Sequence, residues 1–237
     1  MPGLGTIVNV AAILLGGLAG MFGGKLIPER YQKTLLSAMG VSVLFVGLAG
    51  ALSQMLYAED GTLHTQGTMM LIISLAAGAI LGEFLDLEDR MERFGAWLRE
   101  KSGSQSDNSF INGFVTASLT VCIGAMAIVG AIQDGISGDH ATLFAKAVLD
   151  FVIVMVMAAS MGKGCMFSAI PVGILQGGVT LLAQLIRPVF TAQALANLSL
   201  TGSVLVFCVG LNLVWSKHIR VANLLPALIV SVAWAFF

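Results

Sequence analysis

Long apolar runs without charged residues recur along the chain and alternate with short polar segments. A run of about 20 apolar residues is long enough to cross the hydrocarbon core of a bilayer as a helix. We therefore predict eight membrane-spanning helices, at residues 4–24, 35–57, 67–84, 110–133, 142–162, 169–186, 196–215 and 220–237. The predicted fold class is all-α, a polytopic transmembrane helical bundle.

One stretch, FLDLEDRMERFGAWLREK at residues 84–101, has a different pattern. Its apolar residues recur at helical spacing, and its charged residues occupy the other faces. This predicts an amphipathic helix at the inner membrane interface. SGSQSDNS at residues 102–109 then predicts a polar, flexible linker. The predicted segments are 1–84, a first transmembrane repeat; 85–109, a cytoplasmic amphipathic helix and linker; 110–165, a central two-helix hairpin; and 166–237, a second repeat.

The composition supports a membrane location and excludes several other classes of protein. Hydrophobic residues make up 57% and charged residues 11% of the chain, and the mean hydropathy is +0.92. Roughly a quarter of the residues in a soluble domain are charged. A net charge of -1 without a basic stripe argues against a nucleic-acid partner. The three cysteines lack metal-ligand spacing, and no nucleophile–base motif or phosphate loop occurs, so we expect no cofactor, no metal and no enzymatic activity.

The basic residues between the predicted spans lie on alternate loops. Ten of the twelve lysines and arginines follow the first, third, fifth or seventh span, and Arg187 is the one on the opposite loops. Lysine and arginine are retained on the cytoplasmic side. We therefore predict an inner-membrane protein with both termini outside. Residues 4–24 follow no basic region, so we expect a retained span and not a cleaved signal peptide.

Three short sequences recur in the same order at an offset of 161 to 163 residues. They are ILLGG at 13–17 and ILQGG at 174–178, LSAMG at 36–40 and LSLTG at 198–202, and FVGL at 45–48 and FCVGL at 207–211. This predicts that spans 1–3 and spans 6–8 are copies of each other. The members of each pair differ by five in the order of the spans, an odd number, so the copies would run in opposite directions. Inverted repeats of this kind are typical of secondary transporters.

The stretch GDHATLFAKAVLD at residues 138–150 leads into the fifth predicted span. It places two charged residues inside that span. Lys146 and Asp150 are four residues apart and therefore share one face of a helix. A lone charge near the middle of a bilayer costs at least about 2.5–3.5 kcal/mol, which pairing offsets. Two interpretations stay open with equal weight. The pair is structural and fixes the register of the helix, or it forms a solute or proton site.

Further polar residues are candidates for the pathway, namely Asp134, Asp139, Asn9, Gln176 and Asn212. The two aspartates are expected at the outer ends of spans four and five, where a solvated loop is the favoured interpretation. The three amides are expected at depth in spans one, six and seven. Hydrogen bonding to a neighbouring helix, worth about 0.6 kcal/mol on average, is favoured for them over a site.

Gly16, Gly20 and Gly24 form a small-residue stripe on one face of the first span. Such a stripe permits close contact between helices. The sequence leaves open whether this contact is within the chain or between the subunits of a homo-oligomer.

Three segments, NVAAILLGGLAG at 9–20, IVGAIQDGISGDHATLFAKAVLDFVIVMVMAASMGKG at 128–164 and NLLPAL at 223–228, resemble one known family. This is the family of uncharacterised prokaryotic membrane proteins of the YqgA/YdfK type, domain of unknown function 554. The resemblance covers nearly the whole chain. Its most specific part is formed by Gly138, Asp139, Lys146, Leu149 and Asp150. It implies a fold and a carboxylate before Gly135, which Asp134 supplies, but it supplies no substrate and no catalytic residue.

The inverted repeat and the intramembrane charges together favour secondary transport of a small solute or ion. Proton coupling is one form of this hypothesis, with Lys146 and Asp150 in or beside the pathway. Two alternatives are an ion channel and a membrane scaffold or assembly protein without transport activity. The expected partners are the lipid bilayer and an unidentified small solute or ion.

Overall fold

The computed structural model describes residues 2–24, 28–105, 107–123, 125–186, 191–215 and 219–236. Its α-helices are α1 Leu4–Gly24, α2 Glu29–Met55, α3 Thr68–Leu85, α4 Leu87–Lys101, α5 Phe110–Cys122, α6 Ala125–Ser137, α7 Ala141–Met161, α8 Ala169–Leu181, α9 Ala183–Ile186, α10 Ala192–Trp215 and α11 Pro226–Ala233. Short 3-10 segments occupy Lys163–Ser168, Val221–Leu224 and Trp234–Phe236. Lys25, Arg187 and Lys217, which the orientation prediction uses, lie outside the described residues.

Within the described residues, five helices are long and apolar enough to cross a membrane, namely Leu4–Gly24, Thr68–Leu85, Ala141–Met161, Lys163–Leu181 and Ala192–Trp215. The prediction of an all-α polytopic protein is thus confirmed. The predicted fourth span differs from a single helix, because α5 and α6 are bent by 61° relative to each other. Counting this bent pair as one span gives six candidates. Gly40–Met55 and Val221–Phe236 are shorter apolar helical segments.

A small β-hairpin follows α2, where the span pattern predicts only a loop. Its strands are β1 Leu56–Glu59 and β2 Thr62–Thr65, which pair antiparallel. Asp60 and Gly61 form the two-residue connection with φ of 48° and 75°. Positive φ at both positions is typical of the type I′ turn, for which Asp-Gly is a favoured sequence. All residues of the two strands are exposed except Leu56, which is partly buried.

The described chain divides into two compact units that interleave along the sequence. The first unit comprises Met1–Met39, Asp89–Cys122 and Met126–Ile186. The second comprises Gly40–Glu88, Ile123–Ala125 and Arg187–Phe237. This division cuts across the four segments proposed from the repeat, and that assignment stays a prediction.

In the first unit, α1 packs along α7 in the same direction. A side chain at Gly16 would collide with the carbonyl group of Phe151, one at Gly20 with the carbonyl of Met155, and one at Gly24 with the carbonyl of Ala159. Because the numbering rises together on both helices, they are parallel. The three glycines of the stripe are therefore used inside the chain, and a subunit interface through them would have to displace α7. Oligomerisation itself stays a prediction.

The helices of the second unit pack antiparallel through glycines. Gly47 of α2 lies against the Phe207 backbone of α10, and Gly210 of α10 lies against Leu44. On α3, Gly78 lies against Ala227, the second residue of α11. Close packing of backbones at small residues holds membrane helices together where no hydrophobic effect drives them.

The amphipathic stretch forms α4 as predicted, and its apolar face packs on α5. Leu98 is buried, and the ring of Phe94 makes an edge contact with Phe114 at 5.8 Å between centroids. Trp97 remains half exposed, as expected for the headgroup layer. Where the composition predicts a flexible linker, the described residues form hydrogen-bonded turns, with Ser104 buried and bonded to Ser102 at 2.7 Å.

Candidate functional site

The fifth predicted span forms α7, and its two charged residues make a buried ion pair. Lys146 Nζ lies 2.8 Å from Asp150 Oδ1 and 2.6 Å from Asp150 Oδ2. Lys146 is 7% and Asp150 is 3% exposed. Both charges are therefore satisfied by each other, as the spacing of four residues predicts.

The lysine also binds the end of the broken helix. Its Nζ donates to the carbonyl oxygen of Val121 at 2.8 Å. Val121 lies in the last turn of α5, which ends at Cys122. The last four carbonyl groups of a helix have no partner within the helix, and a cation is favoured there by the helix dipole. Lys146 thus caps α5 at the bend of the fourth span.

Two amides join the carboxylate to the neighbouring helices. Asn9 of α1 donates from Nδ2 to Asp150 Oδ2 at 3.0 Å and to Gln176 Oε1 of α8 at 3.2 Å. Since Asn9 must present its NH₂ group to a carboxylate, Gln176 must present its oxygen to Asn9. The predicted candidates Asn9, Gln176, Lys146 and Asp150 therefore form one continuous buried network.

The amide pair leaves polar atoms without a partner. Asn9 Oδ1 and Gln176 Nε2 are buried and have no hydrogen-bond partner within the described protein atoms. Thr6, on the same face of α1 as Asn9, and Thr180, one turn beyond Gln176, each have an unpartnered Oγ1 as well. A buried polar atom left unpaired costs about 1–3 kcal/mol. These four atoms lie along the contact between α1 and α8, which we call the seam. A ligand or water would satisfy them.

A cavity adjoins this seam at the N-terminal end of α1. Its volume is about 600 Å³, within the range of small-molecule sites. Thr6 and Thr180 line it together with apolar side chains such as Ile7 and Leu181. The cavity therefore reaches the outermost two of the unpartnered polar residues.

Asp134 differs from the solvated loop residue that the sequence favours, because its side chain is fully buried. Its carboxylate accepts from the backbone N–H groups of Gly3 and Gly5, each at 3.1 Å. His140 Nδ1 lies 2.8 Å from Asp134 Oδ1. The correction has a simple cause: the fold brings the N-terminal turn of α1 onto α6, and a helix N-terminus favours a negative charge. Asp134 thus anchors α1.

The remaining two candidates lie outside the buried network. Asp139 is exposed and accepts from the Ala141 N–H at 3.0 Å, which places it at the start of α7. Asn212 lies in the second unit, where its amide donates to the Ile219 carbonyl at 2.7 Å and accepts from the Ile219 N–H at 3.0 Å. Their assignment to a pathway stays a prediction.

The second unit contains a buried carboxylate that the sequence interpretation missed. Glu88 is 2% exposed and accepts from the Ala222 N–H at 2.9 Å, while its own N–H donates to Asn223 Oδ1 at 2.7 Å. Glu88 lies within the amphipathic stretch without being singled out by the sequence pattern, and in the structure it caps the 3-10 segment before α11. Asn223 begins the NLLPAL segment, which offered a signal for this contact.

Thr6, Thr180 and His140 were also missed as site residues. Thr6 lies three residues before Asn9 and Thr180 four residues after Gln176, which are helical spacings, whereas His140 follows Asp134 by six residues, beyond the end of α6. In the described part of the chain, no group of three or more His, Cys, Asp or Glu residues is placed to hold a metal ion.

The comparisons with known proteins place the chain in a family. The family described as "Protein of unknown function (DUF554)" matches residues 4–236. "Uncharacterized protein YqgA" of Escherichia coli (strain K12) is 30% identical over 98% of this chain and 97% of the relative. "Uncharacterized membrane protein YdfK" of Bacillus subtilis (strain 168) is 28% identical over 95% of this chain and 93% of the relative. No solved structure gives a significant match. The chain belongs to the DUF554 family of membrane proteins.

Proposed function

We propose that this protein is a secondary transporter of a small solute or ion and that Lys146 and Asp150 lie in its pathway. The observation that carries the proposal is the bridge made by Lys146, between the carboxylate of Asp150 and the free carbonyl of Val121 at a helix break. In many transporters the site is formed by discontinuous helices, whose terminal carbonyl groups coordinate the coupling cation; here the ammonium group of Lys146 occupies such a position. A purely structural ion pair needs no broken helix.

The mechanism follows from the partners of the lysine. Protonation of Asp150 removes the negative charge that compensates Lys146 and leaves the buried ammonium group with the Val121 carbonyl as an acceptor but without a counter-charge. Because a buried charge without a counter-charge is unstable, the lysine then moves toward water and leaves the α5 carbonyl. The bend between α5 and α6 loses its cap, so the fourth span rearranges. Proton binding at one carboxylate is thereby coupled to a change in helix geometry.

Eight spans and an inverted repeat belong to the same proposal. The five long helices, the bent pair and the two shorter apolar segments lie at the positions of the eight predicted spans. Parallel packing of α1 with α7 and antiparallel packing of α3 with α11 agree with alternating passage through a bilayer. The repeat rests on the sequence matches between residues 13–48 and 174–211.

We further propose a location in the inner membrane with both termini outside. The support is the alternation of basic residues between loops, since lysine and arginine are retained in the cytoplasm. Cysteine labelling of the two termini in intact cells, with a reagent that does not cross the membrane, tests this orientation. Labelling of one terminus alone contradicts it.

The test begins with identification of a ligand. A panel of alkali cations, amino acids and organic acids is screened on purified protein by thermal shift, because a ligand stabilises the folded form that binds it. Candidates are then applied to proteoliposomes that contain a pH-sensitive dye. Saturable uptake coupled to a change of internal pH is the expected result.

Two aspartates of the same region supply a matched pair of variants. Asp150→Asn removes the buried carboxylate, whereas Asp139→Asn makes the same chemical change at the exposed start of α7. We expect D150N to insert and fold but to lose coupled uptake, and D139N to retain it. Normal uptake by D150N makes the ion pair structural. Flux without saturation indicates a channel, and no flux for the unmodified protein indicates a scaffold.

A further inference from the structure

The seam between α1 and α8 carries more polar groups than its packing uses. Thr6 and Asn9 on α1 face Gln176 and Thr180 on α8, and each contributes one buried atom without a partner. The four residues are between 0% and 8% exposed. Three of the unpartnered atoms are oxygens, and the fourth, Gln176 Nε2, is a donor.

The chemistry of these four atoms identifies what fills the seam. A bare alkali cation satisfies oxygens but is repelled by an N–H donor. An anion satisfies the N–H donor but meets the carboxylates of Asp150 and Asp134 nearby. Water donates and accepts, so it satisfies hydroxyl groups, an amide oxygen and an amide N–H alike.

The seam has an open end and a closed end. At the open end, Thr6 and Thr180 line the cavity of about 600 Å³. At the closed end, Asn9 donates to Asp150 Oδ2 at 3.0 Å. The titratable groups that face this carboxylate are Lys146 on its own helix and Cys122 at the end of α5, while α1 and α8 present only uncharged amides.

We propose that a file of water molecules occupies this seam and carries protons between the cavity and Asp150. The seam thus gives the carboxylate access to protons from the N-terminal side of α1. The proton moves along hydrogen-bonded water and reaches a carboxylate oxygen, and no bond of the protein breaks. The proposal identifies the proton as the coupling ion and therefore rests on the proposed function. The water passage itself can be measured without transport.

The first measurement is water-edited solid-state NMR of the protein in lipid, with ¹⁵N in the side-chain amides. The Gln176 signal is assigned by its loss in Gln176→Leu. We expect magnetisation to reach this buried amide from water nearly as fast as it reaches the exposed amide of Gln66. Transfer as slow as that to backbone amides of the dry helix core overturns the proposal.

The second measurement uses thiol labelling in a variant without Cys122, Cys165 and Cys208. Thr6→Cys and Thr180→Cys place a thiol on the seam, and Val172→Cys is the control, since Val172 is also buried on α8 but does not line the cavity. A charged methanethiosulfonate should modify T6C and T180C at least tenfold faster than V172C. Equal rates at all three positions overturn the passage.

The two proposals fail in different ways. Slow labelling and a dry Gln176 signal, together with uptake that still depends on Asp150, reject the water file and leave transport in place. A hydrated, reactive seam in a protein without any coupled uptake supports the passage and rejects the transporter. If both proposals hold, modification of T6C slows proton movement, and the same treatment of V172C has no effect.

Discussion

Replacing both members of the ion pair by apolar residues separates its structural role from its functional role. The variants are Lys146→Met, Asp150→Leu and the double variant. Each single change leaves a buried charge with fewer partners. In D150L the ammonium group keeps only the Val121 carbonyl, and in K146M the carboxylate keeps only the Asn9 amide. Breaking a buried pair in this way costs about 3–5 kcal/mol.

The double variant behaves differently, because no charge remains to be desolvated. Exchange of a buried ion pair for apolar residues of similar volume is neutral or stabilising by about 1–4 kcal/mol. The Val121 carbonyl loses its cap, and an unpaired buried acceptor costs about 1–3 kcal/mol. These two effects nearly cancel, so the double variant should be about as stable as the unmodified protein. The coupling energy between the two positions should therefore exceed about 3 kcal/mol.

The assay is unfolding in mixed micelles with increasing SDS, followed by tryptophan fluorescence and circular dichroism, for all four proteins. Uptake into proteoliposomes is measured on the same preparations. We expect the double variant to regain stability and to have no coupled uptake. Additive destabilisation by the two changes would refute the geometry of the pair. A stable double variant with full uptake would show that the pair acts only in folding.

Three further changes test the packing described above. Gly20→Ala meets the carbonyl of Met155 and should destabilise α1 by about 1–3 kcal/mol, whereas Gly23→Ala, which meets nothing within 4 Å, should be neutral or stabilising, as measured by SDS unfolding. Asp134→Asn weakens two charge-assisted bonds at the start of α1 and should lower stability by about 1.5–3 kcal/mol, against almost no change for the exposed cap variant Asp139→Asn. Gly61→Val places a branched residue at φ 75° and should remove hydrogen-exchange protection from residues 56–65, while global unfolding stays unchanged. Equal effects of the two variants in either matched pair, or a protected hairpin in G61V, contradict the corresponding contact.

The sequence predicts the positions of the long helices well, because the requirement for a span is local. Residues 4–24 were predicted and form α1, and the predicted span 142–162 differs by one residue at each end from α7. The Lys146–Asp150 pair was predictable for the same reason, since its spacing of four residues lies within one helix turn. Local sequence rules therefore predict both the long helices and the Lys146–Asp150 pair within α7.

The bend in the fourth span was not predictable from hydropathy. Apolar residues continue across the junction of α5 and α6, so the apolar run has no visible end. A lysine at depth was the one indirect signal, because an ammonium group needs acceptors that a continuous helix does not expose. The hairpin has a direct signal in the sequence, because Asp60 and Gly61 form the Asp-Gly pair that a type I′ turn favours.

Contacts that join distant parts of the chain set the limit of the sequence interpretation. Asn9 and Asp150 are 141 residues apart, and Gly3 and Asp134 are 131 residues apart. No periodicity within one helix encodes which amide meets which carboxylate. Asp134 was expected in a solvated loop for this reason, since the helix N-terminus that neutralises it lies elsewhere in the sequence.

The arrangement around Lys146 explains why a membrane protein would keep an ion pair beside a broken helix. The break frees the carbonyl of Val121, which needs a donor because lipid supplies none. Lys146 satisfies that carbonyl, and Asp150 neutralises Lys146, so each unfavourable feature is compensated by the next. In the mechanism proposed above, neutralising Asp150 leaves Lys146 without a counter-charge, and the Val121 carbonyl then loses its donor. A proton on Asp150 in α7 would in this way change the bend between α5 and α6, which is the coupling that a proton-driven transporter requires.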